Sequence, residues 1–234
     1  MVSQISTPVT EPLAPAASSH DRILAAAKRL FASQGYEATS TMAIARLAGT
    51  SESQMMKHFG SKEGLLEAIL DQGWKSMAPA VAEAQQLPAG TPKLLALLEI
   101  VLNTLNSDPD LKELYLLEGR RIRREGRHVV LSSGYIAFVR LVDEVLKQMA
   151  AAGTLKPGVA PDAVRSAIMG MTEGMLRDQV LSRRRGEFPA DYTDQDCRAL
   201  FVACLQGVTA KPAKAEAPKP KLKAKPRVTS RRRR

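Results

Sequence analysis

The chain has 234 residues, 44% of them apolar and only 4% aromatic, with a formal charge of +10. Leu, Ala, Met and Val supply most of the apolar mass, which gives a real core and favours helices over strands, and no run of eighteen apolar residues offers a membrane span. The charge is local: residues 209–234 hold eleven Lys or Arg against Glu216 alone, which leaves residues 1–208 electrically balanced.

Residues 1–18 read as a disordered Pro/Ser/Thr/Ala leader, with neither the basic start nor the apolar block of a signal peptide. Ile23, Ala27, Leu30 and Phe31 make one buried stripe on a first helix over 19–34, and Gly35 ends it. Thr39, Ser40 and Thr41 offer N-caps for a second helix over 41–48, stopped by Gly49. A third helix spans 51–59. A fourth begins after Ser61 and runs to about Met77, burying Leu65, Leu66, Ile69, Trp74 and Met77, and Pro79 and Pro88 mark a break after it. Thr91 then caps a helix with Pro92 in its first turn. Its buried side is Leu94, Leu95, Leu98, Val101, Leu102 and Leu105.

The sequence "SDPD" opens a helix over 109–119, and 119–128, "GRRIRREGRH", is a basic junction. A long helix follows over 129–151, then a loop, a helix from Pro161 to about 182, the solvated run "RRRG" at 183–186, and a last helix from Asp194 to Gln206. The expected fold is all-α, with nine helices and no strand. Four segments follow: leader 1–18, a head 19–66, a helical body 67–208, and a basic tail 209–234, whose Lys/Pro/Ala composition forms no core. Cys197 and Cys204 would lie ~10 Å apart along one helix, too far for a disulfide within it, and read as small core residues.

The third helix has almost no core to bury. At 100° per residue Met55 and Phe59 fall together, flanked by Glu52 and Met56, while Ser53, Gln54, Lys57 and His58 fall opposite. Its length of ~12 Å suits the major groove of duplex DNA, and Gly49 supplies the turn of a helix-turn-helix. Gln54 has two readings. It could pair with adenine, or fold back in a Ser51-x-x-Gln54 capping box.

Ile23, Ala26, Ala27, Leu30, Phe31, Gly35, Thr41, "IARLAG" (44–49), Ser51, "KHF" (57–59) and "SKEGLL" (61–66) agree in order with one pattern. Over residues 19–70 the chain resembles the DNA-binding domain of TetR-family transcriptional regulators. The resemblance implies phosphate contacts from Thr41 and His58, groove contacts from Ser53, Gln54 and Lys57, and a backbone clamp at Lys62. Ser51 belongs to the same motif. Met42 and Arg46 lie on the outer side of the second helix, Arg46 as a candidate phosphate contact. Two departures stand out: Met56 replaces the family's usual Tyr, and Glu52 puts an acid near the phosphates.

The resemblance further implies an all-helical body that binds a small-molecule effector in an apolar cavity, and a homodimer through the last two helices. Candidate lining residues are Trp74, Leu98, Leu102, Leu117, Phe138, Met149, Met171 and Met175. Ala163, Ser166, Ala167, Gly170 and Gly174 are small residues on one face, suited either to a second copy or to internal close packing. The expected role is a cytoplasmic bacterial repressor that leaves a palindromic operator on binding its effector. In the tail, Lys219, Lys221, Lys223, Lys225, Arg227, Arg231, Arg232, Arg233 and Arg234 could bind DNA without reading sequence. The alternative is a nucleoid-type protein dominated by that tail. No nucleophile elbow, phosphate loop or dinucleotide fingerprint is present, and His20, His58 and His128 lack metal-ligand spacing, so neither an enzyme, a cofactor nor a metal is expected.

Overall fold

A computed structural model describes residues 18–118, 132–185 and 189–210. The leader before Ser18, the junction 119–128, the first three residues of the helix expected at 129–151, Gly186 and the nine basic tail residues lie outside the described residues.

Among the described residues there are nine α-helices: α1 (Ser19–Gln34), α2 (Thr41–Leu47), α3 (Glu52–Phe59), α4 (Lys62–Gln85), α5 (Thr91–Ser107), α6 (Pro109–Glu113), α7 (Ser133–Ala151), α8 (Pro161–Arg185) and α9 (Asp194–Val208). A π-helical turn over Leu114–Glu118 continues α6. No strand is present among these residues; Leu155 and Thr209 form one isolated bridge. No helix is long and apolar enough to cross a membrane.

Local chemistry sets the helix ends. Ser18, Ser40, Ser51, Ser61, Asp108, Ser132 and Thr193 each cap the following helix through a side-chain oxygen. Among Thr39, Ser40 and Thr41, the cap of α2 is Ser40. Thr39 is buried, and its hydroxyl donates 2.7 Å to the Gly35 carbonyl. Gly35 closes α1 at φ 88°, where its N–H bonds the Phe31 carbonyl.

Two boundaries differ from expectation. Pro79 does not end the fourth helix, and α4 continues to Gln85. Proline removes one bond, to the Lys75 carbonyl, and Lys75 and Pro79 are both exposed, so that oxygen loses its partner on the solvent side of the helix. Ala84, one turn further on, is buried and anchors the extension. Thr91 is not a cap either: Gly90 holds that position and no side chain caps α5.

One apolar core runs from Ile23, Phe31 and Met55 in the head to Leu102, Leu146 and Leu205 in the body. Arg165–Asp143 (2.6 Å) ties α8 to α7, and Arg198–Glu99 (2.5 Å) ties α9 to α5. The α4–α7 crossing is close because Gly134 lies against Trp74: a Cβ there would overlap the Trp74 Cβ. Cys197 and Cys204 are free thiols.

Lys112 is the least expected core residue, at 2% exposure. Its ammonium donates to Asn106 Oδ1 (2.8 Å) and Gln179 Oε1 (3.5 Å), and Asn106 in turn donates to Asp194. Desolvation pulls its pKa below the ordinary 10.5, Arg183 adds to that, and Asp194 opposes it. Between the lowered value and 10.5 the unfolded chain holds a proton that the folded chain has released, so this group makes stability rise with pH across that window. The variant Lys112→Met should lose that rise. Urea midpoints of both proteins measured across the alkaline range test this, and parallel curves would refute it.

Candidate nucleic-acid interface and effector cavity

The head is a three-helix unit closed by the start of α4. Ile23, Ala26, Ala27 and Phe31 of α1 pack on Ile44 of α2 and Leu65 and Leu66 of α4, all nearly or fully buried. The α2–α3 turn uses Gly49 at φ 62°, the left-handed region that a β-carbon disfavours. Arg22 reaches across from α1 and donates 3.0 Å to the Ala48 carbonyl, which fixes that turn.

Helix α3 buries Met55 alone. Ser53, Gln54, Lys57 and His58 are all exposed, as the wheel suggested. Ser51 accepts from the Gln54 N–H at 3.2 Å. The reciprocal bond from the Gln54 side chain does not form, so only half of the capping box is made and the amide is left outward. Arg46 is exposed on α2, in the same helix-turn-helix.

The two departures have structural consequences. Thr41 Oγ1 donates to Glu52 Oε1, which pins the start of α2 to the start of α3. Glu52 thereby spends part of its charge inside the head, and Thr41 must share its hydroxyl with that carboxylate. Met56 is 42% exposed and Met42 is 60% exposed, so two flexible apolar side chains stand on this surface. Apolar contacts of this type suit thymine methyl groups in a major groove.

His58 and Lys62 are built into the head more firmly than the sequence suggested. His58 Nε2 lies 3.1 Å from Ser19 Oγ, and the His58 ring meets His20 edge-on at 5.8 Å. His20 in turn stacks on Phe59 at 4.9 Å. The first turn of α1 therefore joins this surface, which nothing in the spacing revealed. Lys62 Nζ donates 2.7 Å to the Thr39 carbonyl and sits 4.3 Å over the Tyr36 ring, while Tyr36 donates to Glu63. Its ammonium holds the α1–α2 connection.

Head and body meet through charge as well as packing. Lys28 of α1 pairs with Asp108 at 2.5 Å. Arg184 of α8 contacts both Glu113 of α6 and the Ala32 carbonyl of α1. Helix α6 is thus gripped from both sides.

The body encloses an apolar cavity of about 60 Å³ among α4, α5, the π turn, α7, α8 and α9. Three of the eight expected residues line it: Trp74, Leu98 and Phe138. The others do not. Leu102 and Met149 are packed in the core, Leu117 and Met171 are half-buried against it, and Met175 is half-buried elsewhere on α8. Of the α8 methionines, Met169 and not Met171 or Met175 is turned to the cavity. Leu94, Leu97, Val101, Leu105, Tyr115, Val142, Ile168, Thr172, Glu173, Leu176 and Phe201 also line it. They look like ordinary helix faces until five helices converge.

The small-residue face of α8 is resolved differently. Ala163, Ser166, Ala167 and Gly170 are exposed, and a Cβ on Gly170 would meet nothing within 4 Å. Internal close packing is not their role within this chain. Leu200 on α9 is 44% exposed.

Comparison with known proteins agrees with the head. Residues 23–69 match the family model for bacterial regulatory proteins of the tetR family. The uncharacterized HTH-type transcriptional regulator YvkB of Bacillus subtilis is 44% identical over 54 residues, 23% of this chain and 29% of that protein. The HTH-type transcriptional repressor AcnR of Corynebacterium glutamicum is 35% identical over 66 residues, 28% of this chain and 35% of that protein. The chain thus matches about a third of the length of these curated relatives. The structure of the transcriptional regulator FadR from Bacillus subtilis in complex with stearoyl-CoA is similar over 80% of this chain and 96% of that one, with a TM-score of 0.64 and 20% identity, which shows a shared fold.

Proposed function

By its N-terminal domain the chain belongs to the TetR family of bacterial regulatory proteins, and from that premise we propose that it is a dimeric, effector-responsive repressor of a palindromic operator. The observation that carries the reading is the division of α3. One methionine anchors it, and four polar side chains stand outward beside α2. A helix so built serves what it presents.

The second copy docks on α8 and α9, where the exposed small residues allow close approach and Leu200 adds apolar area. Two reading heads then face two half-sites. The effector occupies the cavity of the body; the FadR of similar fold was solved in complex with stearoyl-CoA. The effector shifts the head through the α6 contacts, Lys28–Asp108 and Arg184. A ligand with higher affinity for the DNA-incompetent spacing releases the operator by that difference alone. The chain works in the bacterial cytoplasm.

Selection of bound sequences from random duplex DNA by the full chain tests this. A palindrome with two half-sites is the expected result. Uniform retention of all sequences would overturn it and leave a nonspecific binder driven by the basic tail. Within the selected site, Gln54→Ala should cost about 1–3 kcal/mol at one base pair and relax the preference there. Arg46→Gln should weaken all sequences alike and lower the salt slope by about one. Equal losses on every sequence with Gln54→Ala would show that Gln54 reads no base.

A further inference from the structure

Trp74 is the single tryptophan of the chain and stands at the centre of three cavities. The inner one, of about 60 Å³, is walled by five helices and the π turn. A groove of about 260 Å³ opens between α4 and α7, and a small void of about 10 Å³ lies under Leu111. Trp74 and Phe138 line both the inner cavity and the groove, with their rings 5.1 Å apart and inclined at 36°. The two rings are the partition between the compartments. Neither compartment reaches the roughly 300–1,000 Å³ of an ordinary ligand site.

The polar groups are divided unequally. In the inner cavity, the Thr172 hydroxyl donates to the Ile168 carbonyl at 2.8 Å, Glu173 is the one charged side chain, and the remaining walls are aliphatic and aromatic. The groove is lined by Met77, Ala78, Val81, Ala137 and Leu141, and its one charged side chain is Lys75, which is exposed. At the far end of the groove, about 15 Å further along α4, the Gln85 carbonyl accepts from a second ammonium, that of Lys93, at 2.8 Å. The acid one turn before Lys75, Asp71, is turned to the start of α7, where it accepts from Ser133 and from the Gly134 N–H.

We propose that groove and inner cavity are two halves of one site for a single-chain anionic amphiphile, whose apolar chain displaces the Trp74–Phe138 partition while its carboxylate stays in the groove against Lys75. An apolar chain gains by entering the inner, mostly apolar half. A charged head would lose its hydration there, and in the groove it keeps both water and a cation. This rests on the effector-responsive reading above and names the class of effector.

Trp74 makes the site directly observable. Titration of the full chain, without DNA, with dodecanoate should change its tryptophan emission saturably. Dodecanol and dodecyltrimethylammonium should bind about tenfold more weakly or worse, the loss of one charge-assisted bond. Lys75→Gln should weaken dodecanoate by a similar factor and leave dodecanol unchanged. Ala137→Phe, which fills the groove, should abolish the response while the melting curve stays cooperative. Anionic phospholipid vesicles should leave the emission unchanged, because the site takes a free chain and not a bilayer surface.

Equal or tighter binding of the cation, a response to vesicles alone, or no saturable response to dodecanoate would overturn the proposal. Operator binding is followed separately. Dodecanoate that binds at Trp74 without releasing operator would leave the binding site standing and overturn its assignment as the effector site. Effectors that release operator without changing Trp74 emission would leave the effector-responsive reading standing and likewise overturn that assignment.

Discussion

Met55→Ala should cost about 2–5 kcal/mol of stability and abolish sequence-specific DNA binding. Met55 is the one buried residue of an eight-residue helix and is 0% exposed. Helix α3 is too short to persist on propensity, so its place depends on that anchor and on the half-buried Phe59. Alanine removes the anchor and leaves a void that the surrounding helices α1, α2 and α4 fill poorly. The neighbouring Met56→Ala is the control. At 42% exposure it should change stability by less than about 0.5 kcal/mol. Urea unfolding and a gel-shift assay on the selected site measure both effects. If Met55→Ala lost stability yet kept its site preference, α3 would not be the reading element.

Gly64→Ala is the second large effect. A Cβ at Gly64 would overlap the backbone carbonyl of Phe59, the last residue of α3. A backbone oxygen cannot swing aside as a side-chain end can, so α4 must lift away from α3. Overpacking of this kind costs about 1–3 kcal/mol. It also displaces Ser61, whose hydroxyl accepts from the Gly64 N–H at 2.9 Å to cap α4. The expected outcome is a lower urea midpoint with site-specific affinity falling further than stability predicts, because the reading helix shifts. An unchanged midpoint would mean that the α3–α4 corner has slack the structure does not show.

These two residues illustrate how the sequence was legible. Met55 was marked by its position opposite Ser53, Gln54, Lys57 and His58, since a 3.6-residue period is a property of the chain itself. Gly64 carried no such mark. In the sequence it is part of a motif, and its reason is a close approach between two helices that only the folded backbone creates.

What the sequence by itself determined was therefore the local layer: helices and their starts, the glycine turn, the outward face of α3 and the confinement of the net charge to the tail. Those follow from propensity, capping and periodicity over a few neighbours. The tertiary structure decided the rest. Pro79 sits inside α4 because the carbonyl it orphans lies on the solvent side of the helix and Ala84 is buried beyond it. Glu52 is a strut to Thr41, Lys62 is held by Thr39 and Tyr36, and Lys112 is a buried cation. Trp74, Leu98 and Phe138 line a cavity while Met171 and Met175 do not, because a cavity is the gap between several helices. Its walls are chosen by crossing geometry and by contacts between residues tens of positions apart, and no local pattern encodes them.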